Sequence, residues 1–156
     1  GVISVVSRRP FPSGELVEKA PEPGEFAYRW SWLRDGRVVL AATARLAEGD
    51  PGRIRALLGE YREKRGTSQP LSVRNAGCIF KNPPGRSAGR LIDEAGLKGL
   101  RIGDAEVSPE HGNFLVNRGR AGAAEFRDLM ARVKAEVLAF HGIALEEEVE
   151  VWQEPP

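Results

Sequence analysis

The residues able to do chemistry crowd into one stretch, Arg74-Asn75-Ala76-Gly77-Cys78-Ile79-Phe80-Lys81-Asn82-Pro83-Pro84-Gly85. Cys78 carries the chain's one thiol. A thiol with a reference pKa near ~8.5 is mostly protonated at neutral pH, yet is a stronger acid than an alkanol. Lys81 offers a compact cation. Asn82 offers a donor and an acceptor, its backbone restricted by the proline that follows. Gly77 lets a backbone approach closely. Polar groups set among glycine and proline suit a pocket for an anion or a sugar. The residue types alone leave two other readings open, a merely solvated polar loop and a lone cysteine buried as a small hydrophobe.

A second concentration of charge lies at the C-terminal end, in Glu146, Glu147, Glu148 and Glu150. In an extended strand Glu146, Glu148 and Glu150 would share one face, with Glu147, Val149 and Val151 opposite. This pattern does not choose among the carboxylates. Familiar alternatives are missing: there is no G-x-G-x-x-G, no G-x-x-x-x-G-K-[ST], no G-x-S-x-G and no H-E-x-x-H. His111 and His141 are far apart and carry no metal-ligand spacing, and one Cys with two His cannot build a structural zinc site. We expect no metal.

These residues must be positioned by elements readable from pattern. Gly1 to Val6 reads as a strand, as do Phe26 to Trp32 with alternating aromatics and Arg37 to Leu46. Residues 7–24, with Pro10, Pro12, Pro21 and Pro23, read as loop or strand-turn material. Asp50-Pro51 opens a helix whose apolar stripe is Ile54, Leu57, Leu58 and Tyr61, closed by Gly66. Ser87 caps a helix carrying Ala88, Leu91, Ile92 and Ala95, ended by Gly96. The longest helix is predicted over about Ala123 to His141, with Phe126, Leu129, Met130, Val133, Val137 and Leu138 on one face and Gly142 as the stop. Short strands are predicted at Val107 and Asn113 to Asn117, and a final one at Leu145 to Trp152. Irregular interleaving of strands and helices makes the class α+β.

Composition narrows the function. With 156 residues, 41% hydrophobic and 29% charged, the chain can bury a core. Its 23 basic and 22 acidic residues leave a net charge of +1, without the basic stripe that nucleic-acid binding needs. No apolar run approaches the ~18 residues of a membrane span. There is no signal-peptide pattern, and a single cysteine fits a reducing compartment, so the expected location is cytoplasmic. The mid-strand start leads us to expect sequence upstream.

The stretch from Arg74 to Gly85 resembles the signature of the MurB family of UDP-N-acetylenolpyruvoylglucosamine reductases. The likeness continues through Ser87-Ala88-Gly89-Arg90-Leu91-Ile92-Asp93-Glu94-Ala95-Gly96-Leu97-Lys98-Gly99, through Gly103-Asp104-Ala105-Glu106-Val107-Ser108, and through His111-Gly112-Asn113-Phe114-Leu115-Val116-Asn117. Leu145-Glu146-Glu147-Glu148-Val149 is similar to the family's closing Leu-Glu-x-Glu-Val, and Phe26-Ala27-Tyr28-Arg29-Trp30-Ser31 to its Phe-Gly-Tyr-Arg-x-Ser. The blocks come in family order with family-like spacing and cover only the family's C-terminal part. The resemblance implies a small mixed sheet with packed helices, preceded by strands from the end of an FAD-binding lobe. Residues 1–52 would be the remnant of that lobe and residues 53–156 the substrate-binding domain.

It also implies a reaction. In this family NADPH reduces FAD, and the flavin delivers a hydride to the enolpyruvyl double bond of UDP-N-acetylglucosamine enolpyruvate, a peptidoglycan precursor. The resulting carbanion, an enolate of the carboxylate, is then protonated. The resemblance places Cys78 where many members have a proton-donating Ser, Arg29 at the catalytic Arg and Glu148 at the catalytic Glu. Tyr28, Arg65, Lys81, Asn82, Lys98 and His111 are the implied substrate contacts, although Tyr28 could equally be core and His111 structural. No residue is assigned to the cofactor. An N-terminal FAD lobe is the implied missing partner, without which the chain should not turn over. The alternative is a nucleotide-sugar-binding module without redox chemistry, or a decayed paralogue.

Overall fold

The computed structural model describes residues 2–8, 14–34 and 36–152. Pro10 and Pro12, part of the expected loop, lie outside the described residues. The chain divides into two units, Gly1–Ile54 and Arg55–Pro156, the division falling near the start of the first helix.

In the first unit, β1 (Val2–Arg8) is the middle strand of an antiparallel sheet, between β2 (Leu16–Lys19) and β5 (Val38–Ala44). Val5 and Ser7 of β1 are buried. Every residue of β5 is exposed, on both faces of the strand. Val38, Val39 and Leu40 are 48–58% exposed, so each forgoes roughly half of the ~1.5–3 kcal/mol that full burial of such a side chain contributes. Phe26 to Trp32, expected as one strand, is a tight hairpin: β3 (Phe26–Ala27) and β4 (Trp30–Ser31) pair antiparallel around Tyr28-Arg29, and Trp32–Arg34 forms one 3₁₀ turn.

Helix α1 (Pro51–Ser68) starts where proline at the first position predicts, and Asp50 Oδ1 accepts the Arg53 backbone N–H at 2.7 Å. It runs two residues past Gly66. Its apolar stripe is present in spacing, but none of its residues is buried.

The core of the second unit is a four-stranded antiparallel sheet in the order β6-β9-β8-β7, from β6 (Asn75–Cys78), β7 (Arg101–Ile102), β8 (Ala105–Val107) and β9 (Phe114–Asn117). The α+β class stands. Every strand pair among the described residues is antiparallel, so the sheet is not mixed. Strands joined by turns as short as Gly103-Asp104 cannot run parallel.

Helix α2 (Ala88–Glu94) is capped by Ser87, whose hydroxyl accepts the Arg90 N–H. Helix α3 (Ala123–His141) buries Leu129, Met130, Val133 and Val137, and Gly142 ends it at φ 68°, donating to Leu138 O at 2.8 Å. Leu138, expected on the buried face, is half exposed. Helix α3 packs on α2, β7 and β8 around a core that includes Phe80, Leu91, Ile92, Val107 and Leu115.

Candidate active site

Cys78 sits at the end of β6, and a bulge decides how it is presented. Asn75 pairs with Val116 and Cys78 with Phe114, so β6 carries one residue more than β9 across that interval. Gly77 lies in the bulge at φ 78°. A one-residue slip in a strand exchanges the faces its side chains show, and a left-handed glycine is the residue such a bulge takes. Nothing lies within 4 Å of where a Gly77 Cβ would be. The expected reason for this glycine, close approach of a backbone, is therefore replaced by its dihedral angle. Asn75 fastens the bulge: its Nδ2 donates to Pro70 O and Val73 O, and its Oδ1 accepts the Gly77 N–H at 2.9 Å. Cys78 is half-buried.

The acidic C-terminal segment lies beside the residues that follow Cys78. Glu148 N donates to Ile79 O at 2.7 Å, Lys81 N donates to Glu146 O at 2.8 Å, and Phe80 bridges Glu147. The expected strand Leu145 to Trp152 is reduced to this one bridge. The ladder stops after Lys81 because Pro83 and Pro84 have no N–H to offer.

The carboxylates of Glu146 and Glu147 meet lysines. Glu146 bonds the Lys81 ammonium, and Glu147 accepts from Lys134 of α3 at 2.9 Å. Glu148, half-buried, hangs from the Ile79 carbonyl, one residue from Cys78. The structure thus brings Cys78, Lys81 and Glu148 into one neighbourhood.

Asn82, expected at the substrate, accepts the Ala88 N–H at 2.9 Å and so holds the start of α2. Beside α2 is a polar cleft of about 180 Å³, lined by residues including Arg90, Asp93, Lys98, Glu110 and His111. Two of the expected contacts, Lys98 and His111, therefore share a cleft, which Cys78 and Glu148 do not line. Lys98 donates to Asp93 at 2.8 Å.

The cleft exists because α2 comes close to the turn at residues 111–113. A Cβ on Gly89 would meet His111 Cε1 at 2.9 Å, and one on Gly112 would meet Gly89 O at 2.5 Å. Burial, and then the Lys98 charge, hold the His111 pKa below its usual value. Its Nδ1 accepts the Asn113 backbone N–H at 3.1 Å. In the neutral ring the proton is then on Nε2.

Tyr28 and Arg29 occupy the tip of the β3-β4 hairpin in the first unit, both exposed. The Arg29 guanidinium carbon is 5.3 Å from the Tyr28 ring centroid, within cation–π range. Arg29 has φ 56°, a left-handed conformation that favours glycine in a turn. Arg65, in the last turn of α1, donates to Gln69 at 3.1 Å and does not line the polar cleft. Among the described residues no group of three or more His, Cys, Asp or Glu could hold a metal, and no helix is long and apolar enough to cross a membrane.

Sequence reasoning missed Asn113. It lies 3% exposed and pairs with both backbone groups of Phe80. A polar residue leading into the apolar run Phe114-Leu115-Val116 was the available signal.

The fold and site define an α+β protein in which an acidic C-terminal segment is bonded, main chain to main chain, beside the residues that follow Cys78, with a polar cleft beside α2. The pattern described as "UDP-N-acetylenolpyruvoylglucosamine reductase, C-terminal domain" matches residues 69–152, more than half of the chain. The UDP-N-acetylenolpyruvoylglucosamine reductase of Geobacter metallireducens is 45% identical over 138 residues, covering 88% of this chain and 46% of its own length. That of Moorella thermoacetica is 45% identical over 129 residues, 83% of this chain and 43% of its own. The crystal structure of UDP-N-acetylenolpyruvylglucosamine reductase (MurB) from Thermus caldophilus superposes with a TM-score of 0.82 at 44% identity, over 97% of this chain and 53% of that one. The chain belongs to the UDP-N-acetylenolpyruvoylglucosamine reductase family and spans about half the length of these relatives.

Proposed function

We propose that this chain is the substrate-holding and proton-donating part of a UDP-N-acetylenolpyruvoylglucosamine reductase, acting on UDP-N-acetylglucosamine enolpyruvate in peptidoglycan precursor synthesis. The observation that carries the reading is the Glu148 N–H to Ile79 O bond, which sets Glu148 one residue from Cys78.

Saturating the enolpyruvyl double bond takes a hydride at one carbon and a proton at the other. Cys78 supplies the proton as a general acid, a thiol being acidic enough to give it to a carbanion and ordinarily protonated beforehand. Arg29 holds the carboxylate onto which charge moves, a planar guanidinium being suited to two parallel bonds. Glu148 orients the reacting group. Lys98 and the Nε2–H of His111 take an anionic part of the nucleotide sugar in the polar cleft, where Lys98 exchanges Asp93 for the ligand. Lys81 adds positive charge beside Cys78, and Tyr28 packs on the ligand. Arg65 and Asn82 act at a remove, in α1 and at the start of α2.

The hydride source in the family is FAD reduced by NADPH. The polar cleft does not fit a flavin: its 180 Å³ falls below the roughly 300 Å³ at which pockets for sizeable ligands begin. We therefore assign no residue here to the flavin and derive no step through it. The exposed β5, with Val38, Val39 and Leu40 in water, supports a further FAD-binding lobe covering the first unit, residues 1–52 being its end and residues 53–156 the substrate-binding domain. The nucleotide-sugar chemistry and the single reduced thiol favour a cytoplasmic setting.

Calorimetric titration with UDP-N-acetylglucosamine enolpyruvate tests the reading. Saturable binding that Lys98→Ala weakens is expected. A folded chain that neither binds this ligand nor, combined with the flavin-binding half of a relative, reduces it would overturn it. Binding without reduction in that combination would select the non-redox binding module, which the small cleft favours for the chain by itself.

A further inference from the structure

Phe80 is 1% exposed, and the backbone geometry around it is unusual. Its neighbours Ile79 and Lys81 turn toward the C-terminal segment: Ile79 O accepts from Glu148 N and Lys81 N donates to Glu146 O. In an antiparallel ladder the intervening residue points its own N–H and C=O the other way. On that side β9 begins only at Phe114, which already pairs with Cys78. No peptide group of β9 is left for Phe80. The Asn113 side chain fills the place. Its Oδ1 accepts the Phe80 N–H at 2.9 Å, and its Nδ2 donates to Phe80 O at 2.8 Å. A side-chain amide thus stands in for the next peptide group of the sheet. The Asn113 carbonyl also accepts the Ile79 N–H at 3.0 Å, and its backbone N–H reaches His111 Nδ1.

We infer that Asn113 is a positioning residue for the candidate active site, its side-chain amide locking the Ile79–Phe80 backbone between Cys78 and Glu148 while its own N–H selects the His111 tautomer. The inference rests on the proposed roles of Cys78 and His111. It joins the two neighbourhoods that otherwise stand apart, the thiol at the end of β6 and the polar cleft beside α2. Buried donors and acceptors that lose a partner pay a full desolvation cost, so Phe80 should leave its place far more often without Asn113.

The test needs no substrate, so it stands or falls independently of the proposed reaction. Cys78 is the sole cysteine, and its rate with a pyridyl disulfide, a reagent active from acidic to neutral pH, reads the placement of the thiol. The quantity compared is the ratio of variant rate to wild-type rate at each pH. Asn113→Ala is expected to change the rate by about fivefold or more at neutral pH. Asn113→Asp is expected to match it there, and to return toward wild type as the carboxyl is protonated, because a neutral carboxyl restores one donor and one acceptor to Phe80. The Asn113 main-chain N–H survives both substitutions, so the ¹⁵N shifts of the His111 ring are expected to keep their single-tautomer signature. Wild-type rates in both variants, in chains whose amide spectra show them folded, would overturn the inference. So would an Asn113→Asp profile with no acid recovery. If Asn113→Ala does not fold, Asn113→Asp alone decides.

Discussion

The backbone N–H of Glu148 donates to the carbonyl of Ile79 at 2.7 Å, and through that bond the acidic C-terminal segment is tied to the residue that follows Cys78. The bond is made by the main chain. It therefore fixes where the segment lies whatever the side chains do; the Glu146 and Glu147 carboxylates meet Lys81 and Lys134.

On the proposed function, Cys78→Ala, in a chain joined to the flavin-binding half of a relative, should leave flavin reduction by NADPH unchanged. It should slow reduction of the enolpyruvyl group by roughly 10²-fold or more, the usual worth of a positioned proton donor. Cys78→Ser should keep substantial activity. Stopped-flow absorbance of the flavin separates the two half-reactions, and a normal second half-reaction in Cys78→Ala would end the donor role.

Arg29 separates strain from function. With φ 56° it occupies a conformation that costs a non-glycine residue roughly 1–2 kcal/mol. Arg29→Gly should therefore raise the unfolding temperature relative to Arg29→Ala. On the proposed role of Arg29, both should lose affinity for UDP-N-acetylglucosamine enolpyruvate equally. Differential scanning calorimetry and ligand titration of the two variants check this.

Gly77 and Gly112 should fail for different reasons. Gly77→Ala meets no atom but must hold φ 78°, at roughly 1–2 kcal/mol. Gly112→Ala has an ordinary dihedral but drives a methyl to 2.5 Å from Gly89 O, an overpacking cost of roughly 1–3 kcal/mol. Only Gly112→Ala should also disturb the His111 ring signals. Denaturant titration with NMR of the imidazole distinguishes them.

His111 should leave a pH signature. Its folded-state pKa lies below the usual 6.5, through burial first and Lys98 second. Between the folded value and 6.5 the unfolded chain binds more protons, so stability rises with pH across that window. It falls as pH drops below about 6.5 and levels off once the folded ring is protonated too. In His111→Gln this part of the pH profile should flatten. Unfolding free energy measured from mildly acidic to neutral pH in both chains checks the sign, and an unchanged slope would refute the assignment.

Much of the second unit was legible because its signals are local. Helix α3 followed from period 3.6 and the left-handed stop at Gly142, and α2 from the Ser87 cap. Helix α1 shows the limit of such signals. Ile54, Leu57, Leu58 and Tyr61 make a correct apolar stripe, yet 38–64% of each is exposed, because spacing predicts a helix and says nothing of what it packs against. The Tyr28-Arg29 turn was hidden by aromatic alternation and by the absence of glycine at its left-handed position. The final strand was overpredicted because its partner runs into Pro83 and Pro84.

The sequence by itself determined the elements of local energetics, the class of fold and, through its ordered blocks, the family and the names of the candidate residues. The tertiary structure decided which of those residues meet. It bonded the Glu148 main chain to Ile79, gave Asn82 to the start of α2, and drew Asn113 across to Phe80. Dihedral preferences and capping act within a few residues and can be read along the chain. A hydrogen bond between Ile79 and Glu148 depends on how a whole sheet ends and where a distant segment returns, and no local pattern encodes that.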